Sequence, residues 1–241
     1  MKEINNIEKE QINIAYDMRI DSEGKDPDSA SKTLRLYHKL LWSKKLPNEK
    51  DFILSDTIEN VYLYHKSESG EFFLSSDAFI HTYWHWKRTK ELIKKIPIDE
   101  LEYFEYLSYT IGGIIIFPFN RVNNLPTMNQ ERGCNFKIND RMDLTLECIK
   151  LYYNNEDSPL YKTIKRYDNF FKLFYNFKGY CEYFLLQDLV LNDFLNIKFF
   201  LPFNGFINNP LPNNIDEYNI YKKNSIEYLH KRIIELKNTV N

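Results

Sequence analysis

Cysteine is scarce in this sequence, and so are glycine and alanine. The 241 residues hold three cysteines (Cys134, Cys148 and Cys181), seven glycines and three alanines. No two cysteines form a CxxC pair, so neither a zinc ribbon nor a small disulfide scaffold is available, and a reducing cytoplasm is the expected setting. Charge of one sign is not in excess either: 32 Lys and Arg against 34 Asp and Glu leave a formal net charge of −2. That balance excludes broad, non-specific attraction to nucleic acid while leaving room for a local basic groove. Long apolar runs are missing. The most apolar stretch, Ile111–Phe119, falls well short of the roughly 20 residues a membrane-crossing helix needs. The opening residues MKEINNIEKEQ lack an apolar h-region, so no signal peptide is expected. No P-loop, GxGxxG, GxSxG or zinc quartet occurs.

What is present is aromatic. The chain has 18 Phe and 18 Tyr, so large rings must supply much of the packing, and many Tyr hydroxyls must find partners or water. Abundant Ile, Asn and Lys fit an AT-rich coding sequence, from a low-GC bacterium or its phage. The periodicity predicts a single-domain α+β fold, with a small, mostly antiparallel sheet packed by several aromatic-rich helices. Residues 1–15 read as a flexible N-terminal segment and 16–241 as one globular domain. Helices are expected from Ser31 or Lys32 to Trp42, over Ala78–Ile93 and Ile98–Thr110, from Asp140 to Tyr153, from Ser158 to about Phe177, and over Tyr218–Lys237. Strands are expected at Phe52–Leu54, Val61–His65, Glu71–Ser76, Ile114–Phe117 and Ile197–Leu201, the second and third joined as a hairpin through Gly70. Tyr180–Val190 is apolar enough for either helix or strand.

The richest collection of functional groups lies between the buried strand at Ile114–Phe117 and the mostly apolar helix that opens at Asp140-Arg141-Met142-Asp143. The loop Asn120–Asn139 carries Asn129, Arg132 and Asn135. Arg132 and Arg141 have the chemistry of a bidentate clamp for phosphate or carboxylate, and Asn129 and Asn135 that of orienting groups. Gly133 next to Arg132 would permit a turn or a close backbone approach to a ligand. Asp143 and Glu147, one helical turn apart, suit Mg²⁺ binding or a base and acid pair. These residues predict a pocket for an anionic partner, a small molecule such as a nucleotide or a nucleic-acid end, with enzymatic activity left open. The competing expectation is a non-catalytic interaction module, defence- or toxin-associated, whose arginines pair with Glu131, Asp140, Asp143 or Glu147 and merely tie the loop to the helix.

Other clusters read as structural. His81 and His85, at i and i+4, would share a helical face, but Thr82 stands where a zinc protease has its glutamate. The basic, aromatic segment WHWKRTKELIKK suits nucleic-acid stacking and equally a solvated helix face. The acids Asp17 to Asp28 around Gly24 and Pro27 lack calcium-loop spacing and read as a solvated loop with Asx turns. Cys148 has no neighbouring cue for thiolate activation.

Two resemblances add to this. Tyr64-His65 at a strand end, followed by Phe73-Leu74-Ser75-Ser76, resembles the first motif of ADP-ribosyltransferases. That would imply an NAD site with His65 as a catalytic-site residue, although the family's Tyr and Glu motifs are not placed. Over most of its length the chain resembles a family of uncharacterised bacterial proteins, a domain of unknown function. The residues that carry this are Lys25-Asp26-Pro27-Asp28, the block Leu36–Ser43, the block Gly70–Asp77, Ile111-Gly112-Gly113, the block Asp140–Ile149 and Leu186-Gln187-Asp188-Leu189-Val190. This resemblance implies no activity, cofactor or partner.

Overall fold

The sheet at the centre of the computed structural model has strand order β3-β4-β5-β6, antiparallel throughout. The structure describes residues 12–57 and 63–240. In chain order its elements are α1 (Pro27–Ala30), α2 (Lys32–Trp42), β1 (Lys44–Lys45), β2 (Asp51–Phe52), β3 (Ser55–Asp56), β4 (Leu63–Ser67), β5 (Gly70–Ala78), α3 (Lys90–Ile93), α4 (Ile98–Ser108), β6 (Ile114–Pro118), α5 (Met128–Cys134), α6 (Met142–Tyr153), α7 (Tyr161–Arg166), α8 (Asp168–Phe171), α9 (Phe177–Tyr183), β7 (Val190–Leu191), β8 (Asn196–Ile197) and α10 (Ile215–Val240). Helices and sheet share one hydrophobic core, which makes this a single-domain α+β fold.

The strands follow from side-chain periodicity. In β5, Phe72, Leu74 and Ser76 are buried on one face, and Asp77 belongs to the other. Every residue of β6 is buried, as its unbroken apolar run predicts. The two glycines before β6 are there for space. A Cβ on Gly112 would meet Ile233 of α10 at 2.5 Å, and one on Gly113 would meet the Ser108 carbonyl at 2.1 Å. The helix α6 is buried at nearly every position from Met142 to Tyr152, so it runs through the core. Ser31 caps α2 by accepting from the Leu34 N–H at 3.0 Å.

Several expected elements are shorter or differently placed, and rings account for most of it. The span Ala78–Ile93 is helical only at its end, Lys90–Ile93. Strand β5 runs on to Ala78, Tyr83 takes a φ of 56°, and the Thr89 hydroxyl donates to the Tyr83 carbonyl at 2.6 Å. His81 and His85 therefore share no helical face. The helix expected over Ser158–Phe177 is broken into α7, α8 and a 3-10 turn at Lys172–Phe174, ending at Tyr175 with φ 63°. Packing of Phe170, Phe171 and Phe174 against one another and against Tyr180 and Phe184 overrides helical propensity there. The strand expected at Ile197–Leu201 is only Asn196–Ile197. The loop Asn120–Asn139 contains α5, held by a Thr127–Gln130 capping box, and Gly133 lies inside that helix. Part of the strand expected at Val61–His65 and most of the segment 1–15 lie outside the described residues. Among the described residues, no helix is long and apolar enough to cross a membrane.

Candidate functional site

The two arginines expected to clamp a ligand are both buried, at 0% exposure for Arg132 and 3% for Arg141. Arg141 spends its guanidinium inside the fold. It makes a bidentate ion pair with Asp143 and donates from Nη1 to the Pro210 carbonyl at 2.8 Å. Asp143 is itself fully buried and also accepts the Phe200 backbone N–H at 2.8 Å. This pair ties the entry of α6 to the chain around Phe200 and Pro210. Glu147 pairs with Lys150 at 2.8 Å on the same helix. Asn135 caps α5, accepts from Lys137 N at 3.0 Å and donates to the Pro159 carbonyl at 3.3 Å. Among the described residues, no three His, Cys, Asp or Glu side chains are grouped to hold a metal ion, so Asp143 and Glu147 do not form a Mg²⁺ site with a third such ligand.

His65 is likewise engaged. Its Nδ1 lies 2.9 Å from the Ile53 carbonyl, its Nε2 lies 2.8 Å from Ser67 Oγ, and its ring stacks on Phe52 at 4.1 Å. Both nitrogens and one ring face are occupied, which leaves no ring nitrogen for NAD chemistry at this position.

Arg132 leads elsewhere. From α5 it reaches across to β5 and makes an ion pair with Asp77. Its remaining donors go to Thr145 Oγ1 at 3.0 Å and to the carbonyls of Asp140 and Ala78 at 3.2 and 3.3 Å, and it lies over the Phe117 ring at 5.1 Å. Asn129, one turn earlier on α5, donates to the Ser76 carbonyl at 2.7 Å, fixing the strand residue before Asp77. Asp77 is not sealed in. Its side chain keeps 14% exposure and lines a cleft of about 530 Å³. Opposite it stands the segment 19–28, contributing Arg19, Lys25, Asp26 and Asp28, while His81 and Tyr109 complete the polar wall.

The segment 19–28 is held by local chemistry. Asp26 caps α1 by accepting the Asp28 N–H at 3.1 Å, and Pro27 fills the first helical position. Arg19 is pinned to Asp17 at 2.6 Å and to Glu105 at 3.0 Å, so it is not a free cation. Asp28 thereby lines the same cleft as Asp77. Burial and the neighbouring Asp77 push the Asp28 carboxyl well above the ordinary range. Burial raises Asp77 to about 6, with the Arg132 guanidinium holding it down and Asp140 pushing it up. Burial lowers His81 to about 4, so this ring is neutral at pH 7, with its Nε2 3.7 Å from Asp140. The cleft thus holds two carboxyls whose proton affinity is raised by burial above that of a solvated aspartate, with the Arg132 guanidinium opposing the rise.

Of the sequence-chosen residues, only Arg132 and Asn129 belong to this neighbourhood, both behind Asp77. Asp28, Asp77 and His81 were missed as site residues. Asp28 sits in a four-residue helix with no detectable periodicity, and its acidic surroundings read as a solvated turn. The available signal was that Lys25–Asp28, Gly70–Asp77 and Asp140–Ile149, three of the segments carrying the family resemblance, each hold an acid.

An α+β domain with a carboxyl-rich cleft beside a small antiparallel sheet is the class that fold and site define. Residues 12–236 match a family of unknown function, DUF6994, and the chain belongs to that family. No curated protein and no solved structure matches it.

Proposed function

We propose that this chain is an enzyme of general acid–base chemistry, acting on a small ligand that presents an amine or hydroxyl group to Asp28 and Asp77. The observation that carries this reading is a pair of carboxyls lining one open cleft, both with proton affinity raised by burial, Asp28 pushed further up by Asp77 and Asp26 and Asp77 held down by the Arg132 guanidinium. Two titratable groups pushed apart in this way divide the roles of acid and base. In hydrolysis of a C–N or C–O bond, the water oxygen bonds to the carbon as Asp77 takes its proton, and Asp28 protonates the departing nitrogen or oxygen as its bond to that carbon breaks. Proton exchange with solvent then restores both groups. Arg132 is a positioning residue, which fixes Asp77 and keeps it ionisable near neutrality.

The charge of the ligand follows from the lining. Asp26, Asp28 and Asp77 face the cleft, and of its two cations Arg19 is already committed to Asp17 and Glu105. A neutral or cationic group is therefore favoured over phosphate. A nucleotide clamped by Arg132 and Arg141 would need guanidinium donors that are spent on Asp77 and Asp143. The second reading, a non-catalytic interaction module, draws on that same internal pairing of Arg141, Asp143, Glu147 and Lys150.

Thermal-shift and NMR binding measurements at pH 7 with alkylamines, polyols and nucleotides, on the wild type and on Asp28→Asn, separate these readings. Stabilisation by an amine or polyol that is lost in Asp28→Asn is the expected outcome. Stabilisation by nucleotides alone would overturn it in favour of an anionic ligand, and no response to any probe would favour the interaction module.

A further inference from the structure

The cleft at Asp28 and Asp77 does not end at His81. Ala78, His81 and Tyr109 are shared with a second cavity of about 200 Å³, whose further walls include Trp84, His85 and Trp86. Trp86 in turn also lines a third, open cavity of about 430 Å³, which ends at Lys87, Arg88 and the exposed Phe136. All three are strung along the irregular segment between β5 and α3, residues 79–89. That segment was expected to be helical. It runs instead through successive turns, with the Trp86 N–H donating to the Tyr83 carbonyl and the Thr89 N–H to the Trp86 carbonyl, and Trp86 lines both the second and the third cavity. The track has Asp26, Asp28 and Asp77 at one end, beside Lys25 and the ion-paired Arg19, rings in the middle with Glu105 at their edge, and cations at the other end. Lys87 and Arg88 are exposed and have no acidic partner within 4 Å among the described residues.

We propose that this track binds a short peptide with free termini. Its amino group lies at Asp28 and Asp77, an apolar or aromatic side chain lies among Trp84, His85 and Trp86, and its carboxylate lies at Lys87 and Arg88. The inference rests on the acid-cleft reading above and adds the substrate class. Charge complementarity selects the occupant. An ammonium satisfies the acidic end, a carboxylate satisfies the basic end, and the ring-lined middle takes up apolar surface. A nucleic-acid strand would also suit Trp86, Lys87 and Arg88. However, its next phosphates would face Asp26, Asp28 and Asp77, where no three-ligand cluster is arranged to supply a metal counterion among the described residues. A neutral sugar would leave the two cations without a partner.

The test is calorimetric titration with Ala-Phe-Ala, its N-acetyl form, its C-terminal amide and n-butylamine, on the wild type, on Asp28→Asn and on the double variant Lys87→Glu/Arg88→Glu. The double variant changes only exposed residues without ion pairs, so its fold should persist. The free tripeptide should bind, and blocking either terminus should weaken it about tenfold, the scale of one lost charge-assisted hydrogen bond. In the double variant the penalty for amidation should vanish while that for acetylation remains. Equal affinity for the free acid and the amide, with acetylation still harmful, overturns the peptide track and leaves the acid cleft standing. Indifference to both blocks, with no butylamine binding, removes both readings. Binding of an oligothymidylate in place of the tripeptide, lost in the double variant, overturns the peptide in favour of single-stranded nucleic acid.

Discussion

Arg132–Asp77 and Arg141–Asp143 are two buried ion pairs from one stretch of chain, and they end in different circumstances. At Arg141–Asp143 both partners are dark, at 3 and 0% exposure, and the remaining acceptor capacity of Asp143 goes to the Phe200 N–H. At Arg132–Asp77 the arginine is equally dark, but the carboxylate keeps 14% exposure on a cleft it shares with Asp28. A closed pair holds elements together, and only a pair with one face open can also act on a ligand. Sequence chemistry is the same in the two cases. What differs is whether the acid comes from the same helix entry, as Asp143 does, or from the end of a strand bordering a cavity, as Asp77 does.

Breaking either pair from one side should have the largest effects. Removing one partner of a buried ion pair typically costs about 3–5 kcal/mol, because the other charge is left uncompensated. Arg141→Met should therefore lose about that much in urea denaturation while leaving amine binding by the folded fraction unchanged. Arg132→Met should lose a similar amount and, in addition, move the Asp77 midpoint above its value of about 6, since the guanidinium is what holds it down. Unchanged amine affinity and an unchanged Asp77 midpoint in Arg132→Met would erase the distinction between the pairs.

A smaller, pH-dependent effect is expected at Asp28. Its folded-state pKa is raised, so its contribution to stability is fully present below the ordinary carboxylate range and is lost as pH rises through the folded value. Asp28→Asn lacks that loss. The variant should gain stability relative to the wild type as pH rises from about 4, as followed by thermal denaturation across pH. A constant difference would mean that Asp28 is solvated normally.

The smallest effect concerns accessibility alone. Cys148 is buried and its thiol is pushed up to about 12, whereas Cys134 is exposed. Iodoacetamide at pH 8 should label Cys134 well before Cys148 by peptide mass mapping. Early labelling of Cys148 would mean that α6 is not the closed core element it is taken to be.

Much of the fold was legible because it rests on local periodicity. The run Ile114–Phe117, the hairpin at Gly70 and the helices α2, α4, α6 and α10 all carry a repeat that survives tertiary packing. Segments 79–89 and 158–177 were not legible in the same way. Tyr83, Phe170, Phe171 and Phe174 gain more from ring contacts than from continuing a helix, and single-residue propensity carries no record of those contacts. The site was less legible than the fold. Arg132 stood out by residue type, but its partner Asp77 lies 55 positions away in the chain. Asp28 has no local signature beyond the Asp26-Pro27 cap. Arg141, Asp143 and Glu147 looked functional because spacing places them together. The same closeness lets Arg141 pair with Asp143, while Glu147 takes Lys150 one turn on.

Carboxyl-carbon NMR titration of Asp28 and Asp77 tests the division between open and closed pairs most directly, with assignments secured by Asp28→Asn and Asp77→Asn. Asp77 should titrate near pH 6, and Asp28 should remain protonated well above the ordinary carboxylate range. Both groups titrating near pH 4 or about there, as solvated aspartates do, would contradict the acid–base pair and reduce Arg132–Asp77 to a second structural tie.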